Sequence, residues 1–90
     1  MKVFTDSKGK LLSVLVDFSL EEDKTKYCFD GIDGTMSYDT VKMYFGEALH
    51  DYVEQPTNIR VLHYQTEDAP SVTFTFDAEN NMLMKIVHDI

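Results

Sequence analysis

The sequence predicts an α+β domain: an antiparallel sheet of five to six strands with one long helix packed on one face, in the order β-β-β-α-β-β-β. Three observations carry that prediction. Several short runs alternate apolar and polar residues, one central stretch repeats apolar residues at helical spacing, and turn-forming residues separate the runs. At 90 residues the chain makes a single domain, residues 1–90, burying roughly 60–65 % of the surface its unfolded form exposes. An apolar fraction of 43 %, with six Phe and five Tyr, suffices for a folded core and argues against intrinsic disorder.

The first eighteen residues read as a hairpin. "KVFTD" passes through "SKGK", whose glycine suits a turn, into "LLSVLVDF". This second run is apolar on both faces, with Leu12, Val14, Val16 and Phe18 on one and Leu11 and Leu15 on the other, so it belongs in the interior of the sheet. Beyond it "EEDK" forms a turn, and "KTKYCF" supplies a third strand near Thr25–Asp30. Ser19 and Glu22 together resemble a capping box, which leaves a short helical turn as the alternative there.

The helix is expected over about Tyr38–Val53. Ser37 is a suitable N-cap, Asp39 sits in the first turn where the helix dipole favours a carboxylate, and Pro56 marks the end. Val41, Tyr44, Phe45, Ala48, Leu49 and Tyr52 fall on one stripe, while Lys42, Glu47, His50, Asp51 and Glu54 face away. Gly46 in mid-helix would cost about 1 kcal/mol relative to alanine. Three strands then close the chain. "IRVLHYQT" alternates, "SVTFTFD" points Val72, Phe74 and Phe76 inward, and "DAENN" turns into "MLMKIVHDI". One helix of about sixteen residues, roughly 24 Å long, covers only one face of such a sheet. The apolar second face therefore calls for curling of the sheet or for a second copy, and a homodimer is expected.

Composition restricts the function. No run reaches the eighteen or more apolar residues of a membrane span, and "MKVFTDSKGK" lacks the apolar run of a signal peptide, so a cytoplasmic location is expected. A single cysteine, Cys28, excludes an internal disulfide and is expected to be a small buried hydrophobe between Tyr27 and Phe29. His50, His63 and His88 share no metal-ligand spacing, so no metal or other cofactor is expected. "DGIDG" lacks the ligand spacing of a calcium loop, and its glycines suit turns. Nucleophile and phosphate-loop motifs are absent, so the chain is not expected to be an enzyme.

Charge is the one unusual property. Sixteen acids against eight bases give −8, and the excess is uneven. Residues 17–54 carry ten acids against Lys24, Lys26 and Lys42, whereas residues 1–16 hold Lys2, Lys8 and Lys10 against Asp6 alone. Phosphate repulsion disfavours direct binding of nucleic acid. A positively charged protein partner fits better: carboxylates speed and select the encounter, and a few aromatic anchors supply affinity. The residues expected to form that surface are Glu21, Glu22, Asp23, Asp30, Asp33, Asp39, Glu47 and Asp51, with Tyr27, Tyr38 and Tyr52 as anchors. In being short, acidic and poor in motifs the chain resembles inhibitor, immunity and antitoxin proteins, phage-encoded ones among them, whose targets include basic nucleic-acid-handling enzymes. The alternative is a homodimer that binds a small molecule, or performs a minor reaction, in a pocket between helix and sheet. Its support is the aromatic and methionine content, with Phe74, Phe76, Met82 and Met84 near one another in the terminal hairpin.

Overall fold

A computed structural model describes residues 2–20, 22–29, 31–66 and 69–89. Six strands form one antiparallel sheet: β1 (Lys2–Thr5), β2 (Leu11–Asp17), β3 (His50–Glu54), β4 (Ile59–Thr66), β5 (Ala69–Asp77) and β6 (Leu83–Asp89). Their order across the sheet is β1-β2-β6-β5-β4-β3. A 3-10 turn, Phe18–Leu20, follows β2, and an α-helix, α1 (Tyr38–Phe45), precedes β3. The chain thus builds a meander from β3 to β6 and lays the N-terminal hairpin against its last strand, with Val14 opposite His88 and Val16 opposite Ile86. β2 lies inside the sheet, flanked by β1 and β6.

Two expectations are corrected by this layout. The helix has eight residues, about half the expected length, and residues 50–54 form an edge strand in place of its second half. Gly46 is the reason. Its φ of 84° and ψ of −150° lie in a region that only glycine adopts readily, and its amide closes the helix onto the Lys42 carbonyl at 2.7 Å. Beyond it His50, Tyr52 and Glu54 pair with His63, Val61 and Ile59 of β4, so Pro56 sits in the β3–β4 turn and stops no helix. The second correction concerns the strand expected near Thr25–Asp30. Among its described residues only Phe29 forms a bridge, an isolated one to Ile32, and the element order is therefore β-β-α-β-β-β-β.

One face of the sheet carries the core. Val16, Val72, Phe74, Phe76, Leu62 and Ile86 are buried there with Phe18, Ile32, Tyr38 and Val41. The covering task expected of one long helix is divided between two shorter pieces. Helix α1 supplies Val41 and sets the Tyr38 ring edge-on to Phe76 at 5.7 Å. Phe45, at its end, packs against Phe74 and Tyr64 at 5.3 and 5.4 Å. The irregular segment between β2 and α1 covers the rest, with Ile32 buried and Phe29 against Phe74 and His88. Gly34 lets this segment approach closely, because a Cβ there would stand 2.6 Å from the Phe18 ring. The opposite face carries Phe4, Leu15, Val87, Thr73, His63 and Tyr52, and no helix among the described residues lies on it. Val61 is buried there beside its cross-strand neighbours Tyr52 and Thr75. No helix among the described residues is long and apolar enough to cross a membrane.

Candidate functional site

The described acids among those expected to meet a partner divide into three groups. The first makes turns. Asp23 Oδ1 accepts from the Thr25 amide and hydroxyl, and Asp33 Oδ1 accepts from the amide and hydroxyl of Thr35. Asp17 treats Ser19 the same way, while Asp6 gathers the amides of Lys8 and Lys10. Such side-chain bonds two residues along substitute for backbone pairing in turns. The hydroxyl and amide of Thr25 hold the exposed Asp23 carboxyl below its usual value of 3.8. The spacing Asp-x-Ser or Asp-x-Thr was visible in the sequence and would have assigned these three carboxylates to turns.

Asp51 forms the second group by itself. It leaves β3 on the helix side and meets three donors: the Tyr38 hydroxyl at 2.6 Å, Lys42 Nζ at 3.0 Å and Arg60 Nη2 at 3.3 Å. The Tyr38 oxygen in turn accepts from Lys42 Nζ at 3.1 Å and Arg60 Nη2 at 2.7 Å, and the guanidinium lies 3.7 Å over the Tyr38 ring. One donor and two lone pairs are thus all used at the phenol. Partial burial of the Asp51 carboxyl works to raise its pKa. The hydrogen bonds from Tyr38 and Lys42, and the charges of Arg60 and Lys42, outweigh it and set the pKa below 3.8. Hydrogen bonds to Asp51 and Tyr38 push the Lys42 ammonium up to about 12. Burial also raises the Tyr64 phenol, with the Asp51 charge adding to it. Tyr38, only 6 % exposed, is a core residue and is not free to anchor a partner.

Glu22, Asp39 and Glu47 form the third group. All are exposed, and none hydrogen-bonds or pairs through its side chain with another described residue. Cations of the same region are engaged within the molecule. Lys24 donates to the Phe18 carbonyl, Lys26 lies over the Tyr27 ring, and Lys42 is held by Asp51. Close to Asp39 and Glu47 in the chain are exposed apolar side chains that the sequence placed inside or left unremarked: Met43, 82 % exposed, with Tyr44 and Leu49. Helical spacing puts Asp39 and Met43 on one face of α1. Tyr52 is half-exposed on the edge strand, and Tyr27 is half-buried beside the core. Glu21 and Asp30 lie outside the described residues.

A cavity of about 290 Å³ opens under residues 26–29, between that segment and strands β2 and β6. Val14, Val16, Phe18 and Ile86 form its floor, with Tyr27, Phe29 and His88 around it. Cys28 lines it too and is exposed, which corrects the expectation of a buried thiol: the segment carries Cys28 at the surface while its neighbours Tyr27 and Phe29 turn to the core. A second hollow, of about 470 Å³, lies beside Phe18, Lys24, Met82 and Met84. His63 shares a 2.8 Å hydrogen bond with Thr73 and stands 5.8 Å from the His50 ring across the β3–β4 pair. Among the described residues no three His, Cys, Asp or Glu side chains gather as metal ligands. No family model, no curated protein and no solved structure matches this chain.

Proposed function

We propose that the chain is a small acidic protein-binding module of the inhibitor, immunity or antitoxin kind, directed at a basic protein that itself handles nucleic acid. One observation carries the reading. Glu22, Asp39 and Glu47 are exposed and uncommitted, while the lysines of the same region are taken up inside the molecule. None of these lysines forms an ion pair with them, which leaves the three carboxylates open to a partner. Exposed Met43, Tyr44 and Leu49 lie within a few residues of Asp39 and Glu47 along the chain, and an apolar centre with a charged rim is the usual anatomy of a protein interface. Rim charges act on the encounter rate, and the apolar centre acts on residence time.

The experiment is an inhibition screen. A panel of basic nucleases and polymerases is assayed with equimolar protein, and inhibition is expected for a member whose association rate falls steeply with salt. Exchanging Glu22, Asp39 and Glu47 for lysine should slow that association strongly at low salt and little at high salt. Failure of every panel member to bind, or a triple variant that associates at the wild-type rate in low salt, overturns the reading. The cavity under residues 26–29 favours a second reading, a site for a small apolar molecule. An apolar fluorescent dye should then bind at one-to-one stoichiometry, and Val14→Phe, which fills the cavity, should abolish the signal.

A further inference from the structure

We propose that copies of this chain associate head to tail through their sheet edges, β1 of one copy extending the sheet of the next beside β3. The sheet ends in β1 on one side and β3 on the other, and each presents an outer row of main-chain groups that no strand among the described residues covers. Such edges are templates for a further strand. Six strands, each antiparallel to the next, make the two edge strands run in opposite directions. A second copy set beside the first without inversion therefore meets it in antiparallel sense, with its helix on the same side.

The faces and the residues agree with this contact. Following the cross-strand pairs through the sheet puts Phe4 and Tyr52 on the open face, and Val3 and Val53 on the helix face. A single antiparallel register brings Phe4 opposite Tyr52 and Val3 opposite Val53. All four are large apolar residues between 42 % and 51 % exposed in the single chain. Paired aromatic and β-branched residues across strands stabilise a sheet. That same register sets the position of Lys2 opposite that of Glu54, and brings the turn holding Lys8 and Lys10 toward the end of β3 that follows Glu47. Residues 1–16 are the one basic part of a chain that is otherwise acidic, and Glu47 and Glu54 flank β3 as exposed carboxylates, Asp51 between them being held by Lys42 and Arg60. Each edge complements the other and neither complements itself, so the contact is heterologous and does not close at two copies.

Sedimentation velocity across a concentration series, at about 0.15 M salt where the repulsion between two −8 molecules is screened, tests this. The wild-type mass should rise past that of a dimer. Val3→Lys blocks one edge and Val53→Lys the other, both at exposed positions, and circular dichroism should show each folded. Alone, each variant should stay monomeric. Mixed in equal amounts, they retain one good edge each and should form a dimer and nothing larger. The pair Phe4→Lys and Tyr52→Lys, on the opposite face, should repeat the pattern. A wild type that stays monomeric or stops at a dimer overturns the proposal, as does a variant that assembles alone or a mixture that forms no dimer.

Discussion

Asp51 binds a phenol and two cations at once, so its loss should be felt more than that of any other acid in the described chain. Replacing it with asparagine leaves Lys42 and Arg60 facing each other and the Tyr38 hydroxyl with a weaker acceptor. Hydrogen bonds to charged groups contribute about 1.5–3 kcal/mol, and about 2 kcal/mol of destabilisation is expected at neutral pH by chemical denaturation. The pH dependence follows from the direction of the shift. The folded-state pKa of Asp51 lies below its unfolded value of 3.8, so the contribution is complete above that value and is lost as pH falls through the folded one. Wild type and Asp51→Asn should therefore differ at pH 7 and converge in strong acid. A gap that persists undiminished in acid would show that the carboxylate charge is not what the network needs. Glu22→Gln, at an exposed side chain without a partner among the described residues, should change stability by about 0.5 kcal/mol or less at neutral pH.

At the scale of elements, Gly46 separates two accounts of residues 38–53. Inside a helix, Gly46→Ala would stabilise the protein by about 1 kcal/mol. With φ at 84° and ψ at −150°, the same substitution should destabilise it by about 1–3 kcal/mol, and a thermal melt gives the sign directly. The apolar stripe at positions 41, 45, 48 and 52 could not distinguish these accounts, because Tyr52 on an edge strand and Tyr52 on a helix fit the same spacing. Strands β4 to β6 were legible because Val72, Phe74 and Phe76 alternate with threonines and bury only one face. The start of α1 was legible too, since Ser37 caps it by accepting from the Thr40 amide. The fate of "KTKYCF" was not legible: β-favouring residues make no strand where the sheet offers no free edge beside them, and this segment lies over the β2–β6 pair. Of the candidate site, the exposure of Glu22, Asp39 and Glu47 could be read from charge, whereas the capture of Asp51 by Tyr38 depends on a β3 that periodicity concealed. The core follows from the same layout. Phe74, fully buried at the centre of β5, should cost about 3–5 kcal/mol on truncation to alanine, and the half-buried Phe45 distinctly less.

For the whole molecule, a net charge of −8 on 90 residues means that folding gathers like charges, and their repulsion opposes the compact state. Salt acts on this repulsion and on the Asp51 network in opposite directions. The network's partners stand about 3 Å from a partly buried carboxylate, a distance over which mobile ions screen little. Repulsion among exposed carboxylates acts over longer distances, which a Debye length of about 10 Å at 0.1 M cuts off. Repulsion is therefore the part that salt removes, and the melting temperature at pH 7 should rise with added sodium chloride. Acid does the same work chemically: toward the isoelectric point near 4.6 the net charge disappears. The gain ends where carboxylates with depressed pKa values begin to protonate. Asp51 and Asp23 both lie below 3.8 in the folded state, so their contributions are intact above that value and are lost as pH falls through the folded-state values. Melting temperature measured against pH should accordingly peak on the acid side of neutrality and fall steeply below about pH 4. Added salt should flatten the climb from pH 7 to the peak, because the repulsion is already screened, and leave the acid fall in place. A melting temperature that drops with salt at pH 7 would mean that ion pairs outweigh the excess charge. The uncommitted carboxylates would then carry no energetic cost in the free protein, and a basic partner would gain nothing by relieving their repulsion.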